Sequence, residues 1–436
     1  MKSIPIRPQP AAAGNPAAAP AEAPRWRLSW LLAAPHRLGF FAGALMFGAT
    51  ALWWAVVIVL REAAGASLPW AVSPGLAHGL LFGFGFLPLF FTGFLFTAGP
   101  KWLGLPPVEA RAMLPAIAAS LAGWGVFVLG AHAAAALAAL GLAAVASGWG
   151  SFTLRFWRLL RASPAADRTH ARVIAFACGV GGLAMLGAAI GVVGGREDLA
   201  RAALQLGLWG FVGIVYVTVA HRMIPFFTAS ALPLLDAWRP TWLLRTFVAL
   251  LAAQVPLAWA GLWLWPWPAA LRAAQVGLDA FGAVLLLGLA LRWGLVQSLR
   301  IRLLAMLHIG FVWLGIAFAL SALSHALIAA SDGTVSLGLA PQHALTMGFF
   351  GSLLLAMATR VACGHGGRAL AADDRAWALF WALQTAVVLR VGAALWPPAQ
   401  GLLLAAAALA WAAAALGWAL RYGRWFGRPR ADGRPG

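Results

Sequence analysis

From residue 25 onward the chain alternates between long apolar runs and short polar or basic stretches. Each run is close to 20 residues, the length an α-helix needs to cross the hydrocarbon core of a bilayer. Twelve such spans are predicted, at roughly 38–60, 77–99, 112–130, 133–153, 173–193, 203–221, 243–263, 270–291, 303–323, 341–360, 376–396 and 401–420. The expected fold class is therefore all-α, a polytopic integral-membrane helical bundle of about 12 transmembrane helices. One membrane domain is expected over residues 25–424. Residues 1–24 are rich in proline and alanine without an apolar core, which predicts a disordered cytoplasmic tail. Residues 425–436 read as a short basic tail. No short apolar stretch with a cleavage site precedes Arg25, so no cleaved signal peptide is expected.

Composition agrees with this pattern. The 436 residues are 62% hydrophobic and only 10% charged, whereas soluble domains carry about 25% charged residues. So few charges could not cover a water-exposed surface of this size, which excludes the soluble class. The net charge of +19 would suggest nucleic acid in a soluble protein. Here the position of each cation matters more. With the N-terminus taken as cytoplasmic, only Arg61, Arg196, Arg201, Arg272 and Arg390 of the 31 Lys and Arg fall on the far side. This positive-inside asymmetry accounts for the charge without any nucleic acid, and the even number of spans puts both termini in the cytoplasm. Tryptophans clustered at span ends, such as Trp263, Trp265 and Trp267, suit interfacial anchoring. Cys178 and Cys363 are too few and too far apart for a disulfide framework.

Against this apolar background the nine histidines stand out. The predicted topology places His78, His132, His325 and His343 toward the periplasmic face. His36, His221, His308, His365 and His170 lie toward the cytoplasmic face. His308 is several residues inside span 9, and a buried imidazole must find a hydrogen bond or a metal. Both readings stay open for it.

His78 and His343 each open a span that continues with glycine and phenylalanine, HGLLFGFGFLPLFFTGF and HALTMGFFGSLLLAM. Glycine permits close approach of a neighbouring helix or a flat ligand. Two imidazoles at similar depth could hold a haem iron from both sides, or could simply begin two tightly packed helices. Asp279 is the acid placed well inside a span, with Gln275 one turn earlier on the same face. An intramembrane carboxylate marks a proton relay, an ion site or a pair with arginine, here Arg272 or Arg390. Met347 and Met357 suit core packing, and Cys363-Gly-His365 suits a turn. No phosphate loop, Ser/His/Asp triad or HExxH motif occurs, so no hydrolase or transferase chemistry is indicated.

Four segments together resemble the NnrS family: PHRLGFFAGAL (35–45), HGLLFGFGFLPLFFTGFLFTAGPKWLG (78–104), HRMIPFFTASAL (221–232) and HALTMGFFGSLLLAMATRVACGHGGR (343–368). The resemblance implies a twelve-span inner-membrane protein of bacteria that respire or detoxify nitrogen oxides. It also implies haem and copper as cofactors and nitric oxide, or a related small gas, as the molecule met, with a respiratory-chain redox partner. The motif histidines that carry over are His36, His78, His343 and His365, with His308 in a less distinctive stretch. Some members have His-Glu where this chain has His78-Gly79.

On this resemblance His78 and His343 are expected as axial haem ligands near the periplasmic face. His36, His221, His308 and His365 are expected as a second, cytoplasmic-side cluster for copper or another haem. His78, His343, His308 and His36 are the expected metal ligands, Arg360 and Arg368 the expected partners of haem propionates, and Asp279 with Gln275 a proton relay. Twelve-span haem-copper oxidases also carry haem-ligating histidines on their second and tenth helices. This chain lacks their adjacent His-His pair and their His-Pro-Glu-Val-Tyr segment, which argues against a terminal oxidase. The rival reading is a twelve-span small-molecule or metal transporter that uses Asp279 at mid-membrane and the helix-breaking Pro88, Pro100 and Pro225.

Overall fold

The computed structural model describes residues 25–434, which are all-α with no strand among them. The proline-rich tail expected over residues 1–24 lies outside the described residues. Twelve helices are long and apolar enough to cross a membrane: α1 (Pro35–Ala64), α2 (Pro74–Leu103), α3 (Ala110–Ala133), α4 (Ala135–Ala162), α5 (Thr169–Val193), α6 (Glu197–Ala231), α7 (Thr241–Trp263), α8 (Ala269–Arg292), α9 (Arg302–Ala330), α10 (Ala340–His365), α11 (Asp374–Leu395) and α12 (Pro397–Phe426). Each expected span falls on one of them. Most helices overrun the apolar run that predicted them, because hydrogen bonding continues into the interface after the hydrocarbon ends. His36, His170 and His365, placed between spans by the sequence, therefore sit in terminal turns of α1, α5 and α10, and His221 lies well inside α6.

Local chemistry sets several ends. Pro35 and Pro74 occupy first turns, where the missing N–H costs nothing. Gly65 and Gly104 end α1 and α2 in left-handed conformations, at φ 59° and 66°.

Burial separates inner from outer helices. The most apolar windows of α2, α6 and α10 are 83%, 78% and 72% buried, against 33% for α12 and 39% for α3, α7, α8 and α11. Outer helices turn apolar side chains outward, as α5 does with Phe176, Leu183, Leu186 and Ile190. In a membrane that is the surface that lipid covers. Packing recurs at four-helix intervals, with α1 against α2, α5 against α6 and α9 against α10. Small residues allow the closest crossing: a Cβ on Gly39 would stand 2.6 Å from the Cα of Gly93, so α1 and α2 meet backbone to backbone there.

The three innermost helices are also the irregular ones. In α2 the helix breaks at Gly85–Phe86 between Pro74–Phe84 and Leu87–Leu103, where Pro88 cannot donate its backbone bond. Wide turns interrupt α6 over Leu208–Gly213 and α10 over Ala344–Gly351. Such wide turns collect at functional sites. At the end of the bundle where the basic loops lie, the last residues fold back: Arg37 donates to the carbonyls of Phe426 and Arg428 at 3.2 and 2.6 Å, and the N–H of Ala431 donates to Gly366.

Candidate functional site

All three irregular segments border one cavity of about 820 Å³, which lies at the end of the bundle opposite the basic loops. That is the size of a small-molecule or cofactor site. Its walls are mostly apolar and aromatic, with Trp54, Phe82, Phe350 and Trp411 among them. The polar groups on them are few and converge.

His78 from α2 and His343 from α10 both line this cavity. Their ring centroids are 6.4 Å apart and their planes differ by 12°. A ligating imidazole nitrogen sits about 2 Å from a metal, so two rings sharing one metal atom have centroids roughly 6 Å apart. Nδ1–H of His343 donates to the carbonyl of Leu339 at 2.9 Å, which leaves the Nε2 lone pair unused. Metal-binding histidines are oriented in this way. His78 is held differently. Trp54 stacks on it at 4.1 Å, and its own Nδ1 is buried with no hydrogen-bond partner among the described residues. A buried polar atom left in this way costs about 1–3 kcal/mol unless something not yet counted satisfies it.

A second polar group adjoins the same space. Asp279 is fully buried, and its carboxylate accepts from Gln254 Nε2 at 2.9 Å, Ser321 Oγ at 2.8 Å and His325 Nδ1 at 2.9 Å. Gln254, Ser321, His325 and Gln275 line the cavity. Neither Arg272 nor Arg390 pairs with Asp279; histidine, serine and glutamine do. Gln275 makes no bond to Asp279, and its Oε1 is buried without a partner. Gln254, Ser321 and His325 are residues that sequence reasoning left out of the site, and for His325 a signal existed. His325 lies on the same face of the membrane as His78 and His343.

The histidines near the other end do not form one cluster. They divide into three places, none of them on the cavity. His36 and His365 lie with ring centroids 4.3 Å apart and Arg37, Lys101 and Arg430 in electrostatic range. His170 Nε2 and His221 Nδ1 meet at 3.0 Å, and His221 Nε2–H donates to the carbonyl of Pro240, so neither nitrogen of His221 is left for a metal. His308 Nε2 bonds to Thr228 Oγ1 at 2.9 Å. Arg360 stacks over Phe227 at 3.8 Å and Arg368 over Trp425 at 4.0 Å, both away from the cavity. His132 is fully engaged, accepting from Trp53 and donating to the carbonyl of Pro69. Among the described residues no three His, Cys, Asp or Glu side chains converge as a metal site.

A family model described as "NnrS protein" matches residues 30–430. The chain belongs to the NnrS family. Among curated proteins none gives a significant match. Membership supports the general description of a membrane protein of the nitric oxide response associated with haem and copper, and the twelve spans support an inner-membrane location. In this NnrS chain the residues fit the two metals unequally. The His78–His343 pair fits haem by its spacing, by the free Nε2 of His343 and by the aromatic walls around it. Copper fits less well, because no third ligand joins His36 and His365 among the described residues.

Proposed function

We propose that this protein is an intramembrane haem protein acting in tolerance to nitric oxide, with His78 and His343 as the residues that hold the iron. The observation that carries the reading is the near-parallel imidazole pair, 6.4 Å apart, on the wall of a cavity of cofactor size. A bound haem supplies one-electron redox chemistry and, where an iron position is open, a site for a diatomic gas. Held by both His78 and His343, such a group would supply electron transfer with a respiratory redox partner. The Leu339 carbonyl fixes the orientation of His343, whereas His78 packs against the rings of Trp54 and Phe82. Nitric oxide is small and apolar, and it can reach such a site laterally from the bilayer.

The Asp279 carboxylate accepts from Nδ1 of His325, whose ring lines the cavity. A proton can be held or passed there, beside Gln254 and Ser321, at the end of the bundle that the cation distribution assigns to the periplasm. That assignment also puts both termini in the cytoplasm. No step is assigned to copper, because the donor set at His36, His308 and His365 does not complete a site.

The test is a reduced-minus-oxidised optical spectrum of protein purified in mild detergent, with metal analysis of the same sample. Near-stoichiometric haem is the expected result, and His343→Ala is expected to abolish it. A featureless spectrum from haem-supplied cells, or full haem in both His78→Ala and His343→Ala, would overturn the assignment. The first outcome together with substrate flux lost in Asp279→Asn would favour a transporter.

A further inference from the structure

Five arginines break the cation asymmetry of this chain, and four of them, Arg61, Arg201, Arg272 and Arg390, line the cavity shared by His78 and His343. The fifth, Arg196, does not line it and is held by both oxygens of Asp198, at 2.9 and 2.8 Å. Arg61 has Glu62 beside it, and Arg201 is paired with Glu197. Neither Arg272 nor Arg390 has a carboxylate within ion-pair distance among the described residues. Arg390 lies within α11, half-buried, in electrostatic range of Arg61, His78 and His343. An uncompensated guanidinium inside a span is costly and marks a binding function. Two guanidinium groups facing the same space, with no acid between them, are relieved by an anion.

The chemistry of that anion follows from the walls. A guanidinium fork matches a carboxylate with two parallel hydrogen bonds. The surrounding Trp54, Phe82, Phe350 and Trp411 suit a flat apolar body. We propose that Arg390 binds the carboxylates of the tetrapyrrole, so that its acidic edge lies toward the face opposite the basic loops. This assignment rests on the haem reading above. It replaces Arg360 and Arg368, which are stacked on aromatic rings at the other end.

Full-length protein is purified in detergent from haem-deprived cells and titrated with iron protoporphyrin and with its dimethyl ester, binding being read from the absorbance spectrum. Wild type is expected to prefer the free acid by roughly 10- to 100-fold, the value of a charge-assisted hydrogen-bonded pair. Arg390→Gln is expected to erase most of that preference while leaving affinity for the diester unchanged, which also shows that the variant is folded. Arg390→Lys is expected to keep part of the preference, because charge remains and the fork is lost. Arg196→Gln is expected to behave as wild type. Equal binding of acid and diester by wild type overturns the arginine assignment alone, and so does an equal loss of both ligands in a folded Arg390→Gln. Binding of neither ligand by wild type overturns the haem reading and the arginine assignment together. If Arg390→Gln does not fold, the same two titrations of Arg390→Lys decide, an undiminished acid preference overturning the assignment.

Discussion

At the open end of the bundle His78 and His343 stand 6.4 Å apart beside a cavity of about 820 Å³. At the basic end His170 and His221 are closed on each other by a 3.0 Å hydrogen bond, and His36 packs 4.3 Å from His365 amid cations. Residue type is the same at both ends, yet the physical settings differ. At the open end one ring has its tautomer fixed by a carbonyl, with the other nitrogen unused. At the basic end His221 has spent both nitrogens, and neither His36 nor His365 lines the cavity. A histidine pair becomes a ligand pair when space and an oriented, free lone pair come together. Depth in the membrane alone does not supply these.

The largest contrast is expected between His343→Ala and His36→Ala. The first should abolish retained haem, and the second should leave it near the wild-type level, as measured by haem content per protein. Equal loss in both would erase the difference between the two ends. Within the open end, His78→Ala should lose less haem than His343→Ala and should bind nitric oxide or carbon monoxide more readily, since the carbonyl-fixed ring remains. Spectra of the two ferrous variants with added gas check this, and equal behaviour would remove the distinction between the carbonyl-fixed and the ring-packed histidine.

A smaller effect is expected at the polar group beside the cavity. Asp279→Ala strands three hydrogen-bond donors and should cost about 3 kcal/mol, while Asp279→Asn should cost about 1 kcal/mol. Thermal unfolding in detergent measures both. A cost for Asp279→Ala no larger than that of an exposed serine change such as Ser230→Ala would show the network to be loose.

The smallest effect belongs to the basic end. Asp373 caps α11 by accepting from the N–H of Ala376 at 3.0 Å and pairs with Arg421, which holds its carboxyl below the usual carboxylate range. Its folded pKa is lowered, so its contribution is present at neutral pH, above the unfolded value, and is lost as pH falls through the folded value. Asp373→Ala should cost about 1 kcal/mol at pH 7. The difference from wild type should vanish on acidification below the carboxylate range. A difference that persists there would mean the carboxylate is not its source.

Twelve spans, their order and the cation asymmetry were legible in the sequence, because hydrocarbon imposes a length and a composition on each crossing segment independently of its neighbours. His78 and His343 were legible as a pair because each opens a glycine- and phenylalanine-rich span. The five exceptional arginines were legible too, as exceptions, but nothing in one dimension told that four of them surround one hollow. Contacts between helices depend on rotation about each helix axis and on which helices are neighbours. Hydropathy does not encode either when every face is apolar. Tertiary packing therefore decided that Asp279 meets His325 rather than an arginine, and that His221 spends its nitrogens on His170 and Pro240. It also decided that Arg360 and Arg368 stack on aromatic rings while Arg390 and Arg61 face the cavity of the histidine pair.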